Sequence, residues 1–250
     1  MSPEKLCREI VDWLKDMVFS SEGRGAIYGL SGGLDSAVVA LLCKRAFGAH
    51  SLALMMPCFG PKTELEHALL LAEKFAIPYK IINLEGVFTQ LLQALEGGAD
   101  PRSMAAVNIK PRLRMTALYY WSARKHYRVI GTGNKSEILT GYFTKHGDSG
   151  VDLEPLGDLL KEEVWALAAY LGVPREITAK KPTAGLWKGQ TDETEMGFSY
   201  KELDSCLKGE QTEPALQEKI VALQQNSAHK RKMPPIFCKN GVEESAYGVD

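Results

Sequence analysis

The densest chemistry in this chain sits in six residues, Ser31-Gly32-Gly33-Leu34-Asp35-Ser36. Before them lies a short apolar run, Gly25 to Leu30, too short for a helix and read as a buried strand. After them, Ala37 to Cys43 continues helically to Gly48. Two adjacent glycines reach backbone conformations closed to other residues and let a ligand come close. The N–H groups that open the helix, reinforced by its dipole, suit an anion such as pyrophosphate, and Ser31 and Ser36 add hydroxyl donors. The string lacks the lysine and the longer spacing of G-x-x-x-x-G-K-[ST], so it is not the usual P-loop. What it has instead is Asp35, an acid inside an anion site. A carboxylate there makes sense if a cation lies between it and the phosphates, so Asp35 is a Mg²⁺ ligand candidate. The plainer alternative is a strand–helix turn with Asp35 or Ser36 as N-cap.

A second cluster, Ile130-Gly131-Thr132-Gly133-Asn134-Lys135-Ser136-Glu137, repeats the strand–glycine–helix order. Thr132 could donate to the same phosphate ligand. Glu137, one turn into its helix, could face Asp35 across the sheet, and two carboxylates from neighbouring strand ends would share Mg²⁺. Thr132 or Asn134 as helix cap, with Glu137 as the capping-box acid, is the competing reading.

The elements that must position these residues follow from periodicity. Strands are expected at Gly25 to Leu30, Ser51 to Pro57, Tyr79 to Leu84 and Tyr127 to Ile130. Helices are expected at Glu4 to Phe19, Ser36 to Gly48, Lys62 to Ala76, Val87 to Leu95 and Ser103 to His126. Their alternation predicts an α/β fold, doubly wound, with a mostly parallel sheet and helices on both faces. Such sheets place ligands at the carboxyl ends of their strands, where both clusters fall. After Gly141 a loop-rich segment follows, with helices at Lys161 to Leu171, Ser199 to Leu207 and Glu213 to Gln224. One domain is expected, comprising an N-terminal helix (1–22), a nucleotide-binding core (23–141), substrate loops with C-terminal helices (142–235) and a loosely ordered tail (236–250).

Composition narrows the class. At 250 residues, with 45% hydrophobic and 24% charged, the chain is long enough to bury a core without disulfides or structural metal. Lys and Arg total 30 against 31 Asp and Glu, so nothing global favours nucleic acid or an acidic membrane. The longest apolar stretch, about seven residues, is far short of the ~20 a membrane helix needs. No secretory signal opens the chain. Five cysteines without a C-x-x-C pair suggest reduced thiols in a cytoplasmic protein.

The hexapeptide resembles the S-G-G-x-D-S signature of the ATP pyrophosphatases, or PP-loop family, which cleave ATP between the α and β phosphates and adenylate a substrate. Downstream, Thr140-Gly141-Tyr142-Phe143-Thr144-Lys145-His146-Gly147-Asp148-Ser149-Gly150-Val151-Asp152 is similar to the T-G-[FY]-F-T-K-x-G-D-x-G-x-D run of ammonia-dependent NAD synthetases. Four further strings fit that family in order: Asn108 to Met115, Lys181 to Leu186, Thr191 to Gly197 and His229-Lys230-Arg231. Many relatives carry Asp-His-Ala-Ala where this chain has Gly133-Asn134-Lys135-Ser136, and Asp where it has Gly185. No specific role is therefore expected at those positions.

The resemblance implies an adenine nucleotide alpha-hydrolase-like fold and an ATP- and Mg²⁺-dependent amidation of deamido-NAD (nicotinic acid adenine dinucleotide) by ammonia. It implies that Gly29, Leu30, Ser31, Gly32, Gly33, Leu34, Asp35 and Ser36 cradle the ATP phosphates, with Thr132, Lys161 and Thr183 also on ATP. Asp35 and Glu137 would hold Mg²⁺. Arg112, Lys145, Asp152, His229 and Lys230 would contact deamido-NAD. No nucleophile or general base is assigned. Of Arg112 and Arg114, two apart on one helix, at most one should reach substrate, and the alignment favours Arg112. Lys161, which opens a helix, has a solvated surface residue as its alternative reading, and without the resemblance His229 to Lys232 would read as a solvated basic run or weak nucleic-acid patch. A homodimer is implied, and free ammonia is the expected nitrogen source, because the synthetase sequence starts too early to leave room for a glutaminase domain. Competing readings are another PP-loop adenylating enzyme (a tRNA thiolase, or GMP synthetase-like) and a nucleotide-sensing module without turnover.

Overall fold

A computed structural model describes residues 1–97, 100–180, 182–183, 191–210 and 212–237 of the chain. Lys181, Gly185 and the end of the expected tail, from Cys238 on, lie outside the described residues.

Helix α1 (Pro3–Ser20) leads into strand β1 (Ala26–Gly29), α2 (Leu34–Phe47) and β2 (Ser51–Met55). Next come α3 (Lys62–Lys74), β3 (Tyr79–Ile81), α4 (Glu85–Glu96), α5 (Met104–Val107), α6 (Ile109–Lys125) and β4 (Arg128–Val129). The C-terminal part holds α7 (Lys135–Thr140), α8 (Lys161–Leu171), α9 (Arg175–Thr178), α10 (Asp192–Met196), α11 (Tyr200–Leu207) and α12 (Pro214–Asn226). The expected elements are present, with strands trimmed by one to three residues at their ends. One helix differs: the stretch read as continuous from Ser103 breaks at Asn108 into α5 and α6. Pro111 has no N–H to give the Val107 carbonyl, so the ladder cannot run through.

All strand pairs are parallel, in the order β3-β2-β1-β4. The chain moves outward from β1 through β2 to β3, then crosses back to lay β4 on the other side of β1. The strand order therefore reverses between β1 and β4, and a crevice opens at their carboxyl ends. Both glycine clusters emerge into it.

Side chains alternate across the sheet as period two demands. Ala26 and Tyr28 of β1, with Ala53 and Met55 of β2, join a core built with α1, α2 and α8. Ile27, Leu52, Leu54 and Val129 face the opposite core, with Phe88 and Leu92 of α4 and Leu118 of α6. Helices thus cover both faces, as the alternation predicts. A third core of Met196, Phe198, Tyr200, Leu203 and Ile220 holds the C-terminal helices together.

Gly32 shows how tightly the first loop is built. Its φ is +80°, and a Cβ there would run into the Glu64 carbonyl at the start of α3. Sequence reasoning gave these glycines to the ligand; at Gly32 the close neighbour is the protein itself. Gly32→Ala is expected to destabilise the fold by more than ~1 kcal/mol. Urea unfolding measures this, and an unchanged midpoint would show that the loop can relax.

Candidate active site

The loop after β1 is organised by its own serines. Ser36 Oγ accepts the Ser31 main-chain N–H at 3.2 Å and donates to the Gly33 carbonyl at 3.0 Å, while Ser31 Oγ accepts Gly33 N–H at 3.2 Å. The two hydroxyls lie 3.0 Å apart. Both are therefore spent on loop shape, where sequence reasoning had offered them as ligand donors. Asp35 falls in the first turn of α2, with its helix N-terminus opening on the crevice.

Across the crevice, α7 begins with a complete capping box. Asn134 Oδ1 accepts Glu137 N–H at 3.0 Å, and Glu137 Oε2 accepts Asn134 N–H at 3.3 Å. This does not compete with a site role, because a carboxylate has two oxygens. Glu137 Oε1 turns inward and accepts Lys161 Nζ at 3.1 Å, and the same ammonium donates to Asp35 Oδ2 at 2.7 Å. Asn134 Nδ2 donates to Asp35 Oδ1 at 2.9 Å. Asn134 is thus the helix cap that the sequence offered, and it orients both acids as well. Ser136, in the same tetrapeptide, donates to Asp204 at 2.6 Å and accepts the Lys161 main-chain N–H at 3.2 Å, fixing the start of α8.

Lys161 is only 1% exposed, so its reading as a solvated surface residue is wrong. Burial alone would lower its pKa, but Asp35 and Glu137 raise it, and the ammonium stays charged. Burial pushes the Glu137 carboxyl up to about 7, helped by Asp35 and Asp192 and opposed by Lys161. Two acids meet one internal cation here. They lie within reach of a common ion, and a carboxylate pair beside a phosphate loop has the hard oxygen chemistry that Mg²⁺ takes.

Beneath the second loop sits a residue the sequence did not single out. Glu154 Oε2 accepts Gly133 N–H at 3.1 Å, and a Cβ at Gly131 would strike its carboxyl group. Burial raises this carboxyl to about 8, so it is largely neutral at pH 7 and does not repel an anion above it. The folded pKa lies above the unfolded one. Its contribution is therefore free of cost below about pH 4.5 and turns unfavourable as pH rises toward 8. Glu154→Gln is expected to gain roughly 4 kcal/mol on the wild type between pH 5 and 8.5. Paired urea titrations at those pH values test this; a gap constant with pH would rule out the titration.

The crevice is a cavity of about 490 Å³. Of the residues assigned to ATP, Gly29, Leu30, Ser31, Gly33, Leu34, Asp35, Ser36, Thr132, Lys161 and Thr183 line it, as does Glu137. Gly32 packs away from it against α3. Of the residues assigned to deamido-NAD, Lys230 lines the cavity, its Nζ donating to the carbonyls of Gly141 and Phe143 at 2.8 and 2.9 Å. Arg112, Lys145 and His229 do not. They form a separate chain of contacts, Arg112 donating to the Lys145 carbonyl at 3.3 Å and Lys145 Nζ to the His229 carbonyl at 2.7 Å. Asp152 has both oxygens engaged, with Tyr119 OH at 2.9 Å and Val129 N–H at 2.8 Å. Of the arginine pair, Arg114 is the one that lines the cavity, on the same α6 face as Pro111, Met115 and Leu118. Spacings of three and four put these residues together, and Arg112 falls outside that stripe.

In the basic run at 229–232, His229 and Lys232 are exposed while Lys230 and Arg231 are half-buried. Arg231 donates to the Ile138 and Leu139 carbonyls at 3.0 and 3.1 Å and to the Gln224 carbonyl at 2.6 Å, tying the end of α7 to α12. Among the described residues Cys7, Cys43, Cys58 and Cys206 are free thiols, and no helix is long and apolar enough to cross a membrane.

A parallel sheet with a glycine–serine loop and an acid–lysine–acid cluster at its switch point defines a nucleotide-binding α/β protein. The chain belongs to the NAD synthase family, whose model matches residues 6–234. It is 45% identical to the NH(3)-dependent NAD(+) synthetase of Carboxydothermus hydrogenoformans, over 93% of this chain and 97% of that one. Among solved structures it is similar to an NMN synthetase from Francisella tularensis (37% identity, TM-score 0.90, 94% of this chain and 98% of that chain). It also resembles the NH3-dependent NAD synthetase of Campylobacter jejuni (34% identity, TM-score 0.79, 95% and 100%).

Proposed function

We propose that this chain is an NH3-dependent NAD⁺ synthetase, a ligase that joins ammonia to deamido-NAD while ATP is cleaved to AMP and pyrophosphate. The observation that carries the reading is the single cavity in which the phosphate loop meets the Asp35–Lys161–Glu137 cluster, in a chain of this family. A carboxylate resists ammonia because its leaving group is poor. Transfer of AMP to the carboxylate makes a mixed anhydride, from which ammonia displaces AMP. The first step crowds negative charge at the α-phosphate, and the protein's task is to hold and neutralise it.

In this reading Gly29 to Ser36, Thr132, Lys161 and Thr183 position ATP, with Lys161 a buried charge that needs no reorganisation. Asp35 and Glu137 would hold Mg²⁺, which supplies charge neutralisation to the departing pyrophosphate. Arg112, Lys145, Asp152, His229 and Lys230 bind deamido-NAD, partly through the basic chain outside the cavity. Positioning and electrostatics suffice without a nucleophile or dedicated base. The enzyme acts as a cytoplasmic homodimer in this proposal, supported by the free thiols among the described residues and by Tyr79 and Ile81 exposed along edge strand β3.

One competing substrate has an observation behind it. The likeness to an NMN synthetase makes the nicotinate mononucleotide the alternative acceptor. Purified protein with ATP, Mg²⁺ and ammonium chloride is expected to release pyrophosphate on addition of deamido-NAD. Faster release with the mononucleotide would reassign the substrate. No release with either would overturn the amidation.

A further inference from the structure

The second glycine loop is shaped around a side chain that has no part in the ATP or deamido-NAD assignments. Gly131 and Gly133 both face Glu154. A Cβ on Gly131 would strike its carboxyl group, and one on Gly133 would stand 3.3 and 3.4 Å from the two carboxyl oxygens. With Oε2 also accepting the Gly133 N–H, the carboxyl fills the hollow of the loop. Gly131 and Thr132 line the nucleotide cavity, and Glu154 stands behind them, outside its lining. At Gly131 the space that a side chain would need is taken by the protein itself.

The backbone holds that carboxyl in place from both sides. Upstream, Gly131 N–H donates to the Leu153 carbonyl at 2.7 Å, and Leu153 bridges to Ile130, carrying the sheet past β4. Downstream, Gly157 N–H donates to the Glu154 carbonyl at 3.0 Å, closing a turn with Pro155 at its second position and the fully buried Leu156 at its third. Burial, reinforced by Asp148 and Glu137, keeps the carboxyl neutral at pH 7, although the Gly133 N–H favours the charged form. Those two acids are the charged groups that face it among the described residues. Glutamine would accept the same N–H without the folding cost that the acid carries as pH rises. A group kept at the expense of stability points to the site rather than to the fold.

We infer that Glu154 is a positioning residue for ATP, its carboxyl seating the 131–133 loop so that Thr132 stands at the nucleotide. The inference rests on the ATP reading of the cavity and not on which acceptor is amidated. The same carboxyl makes nucleotide affinity depend on pH. Protonated, it backs the loop without charge. Ionised, it sets a negative charge behind a loop that meets an anionic nucleotide, in surroundings where both facing groups are already acids.

The test is calorimetric binding of ATP with Mg²⁺, without nicotinate substrate or ammonium, to wild type, Glu154→Leu and Glu154→Gln at pH 6.5 and 9. Leucine removes the acceptor for Gly133 N–H, whereas glutamine keeps it and cannot ionise. At pH 6.5 Glu154→Leu should raise the Kd for ATP about tenfold, and Glu154→Gln should restore it. At pH 9 the wild-type Kd should stand about fivefold above that of Glu154→Gln. That ratio cancels the ionisation of ATP and of Glu137, which both proteins share. A merely structural glutamate would shift urea midpoints and leave the ratio flat. Wild-type affinity in Glu154→Leu would overturn the inference, and so would a ratio constant with pH. If Glu154→Leu is insoluble, the ratio between the other two proteins decides alone. Wild-type protein that binds no ATP would overturn the nucleotide reading of the cavity and this role with it; ATP binding without amidation would overturn the amidation alone.

Discussion

Asp35→Asn is expected to cut deamido-NAD-dependent pyrophosphate release by a factor on the order of 10²–10³ while the protein remains folded. Asp35 is the point where the phosphate loop meets Lys161 and Asn134, and its side chain is 18% exposed, outside either main core. Asparagine keeps the shape and one acceptor but removes the charge that a cation beside ATP would need. Lys161 retains Glu137 as partner, so the stability cost should stay near ~1 kcal/mol. Pyrophosphate release and circular dichroism on the same preparation decide it. Loss of soluble protein would make Asp35 structural; near-normal turnover would remove it from the site.

Lys161→Met should have the largest effect on stability. The lysine is the shared partner of two acids, and methionine leaves them facing each other with no cation between them. Removing one side of such a buried arrangement costs about 3–5 kcal/mol. The loss should depend on pH. Without Lys161 the buried Glu137 carboxyl is pushed still further above its unfolded pKa, so stability is retained where it is protonated and lost as pH rises through its folded value. The gap from wild type is therefore smallest near pH 5 and widest above pH 7. Urea unfolding across that range tests this, and a gap independent of pH would point to packing alone.

The strands were legible because each is a short apolar run bounded by turn residues, and the two glycine clusters were legible because chemistry and punctuation coincide there. The capping reading of Glu137 holds and leaves room for a site role, since one oxygen caps α7 while the other meets Lys161. What could not be read was partnership over distance. Glu154 lies 21 positions from Gly133, and Asp204 lies 68 from Ser136, and no local pattern announces either contact. Arg114 did carry a signal, since it shares a helical stripe with Pro111, Met115 and Leu118, but alignment drew attention to Arg112. Lys161 is drawn to the ATP site by the resemblance alone, against the alternative of a surface lysine opening a helix; only the folded chain sets two acids around it. In the basic run at 229–232, local charge density gave no sign that Arg231 faces main-chain carbonyls.

The clasp made by Arg231 has a consequence for biosynthesis. The glutamate-bearing turn at 135–140 is fastened by a side chain more than ninety positions later, through contacts to residues 138 and 139. A nascent chain can complete its sheet on the ribosome well before that side chain emerges. A chain truncated shortly upstream of residue 231 would therefore have its sheet and phosphate loop complete while one wall of the pocket is left unfastened.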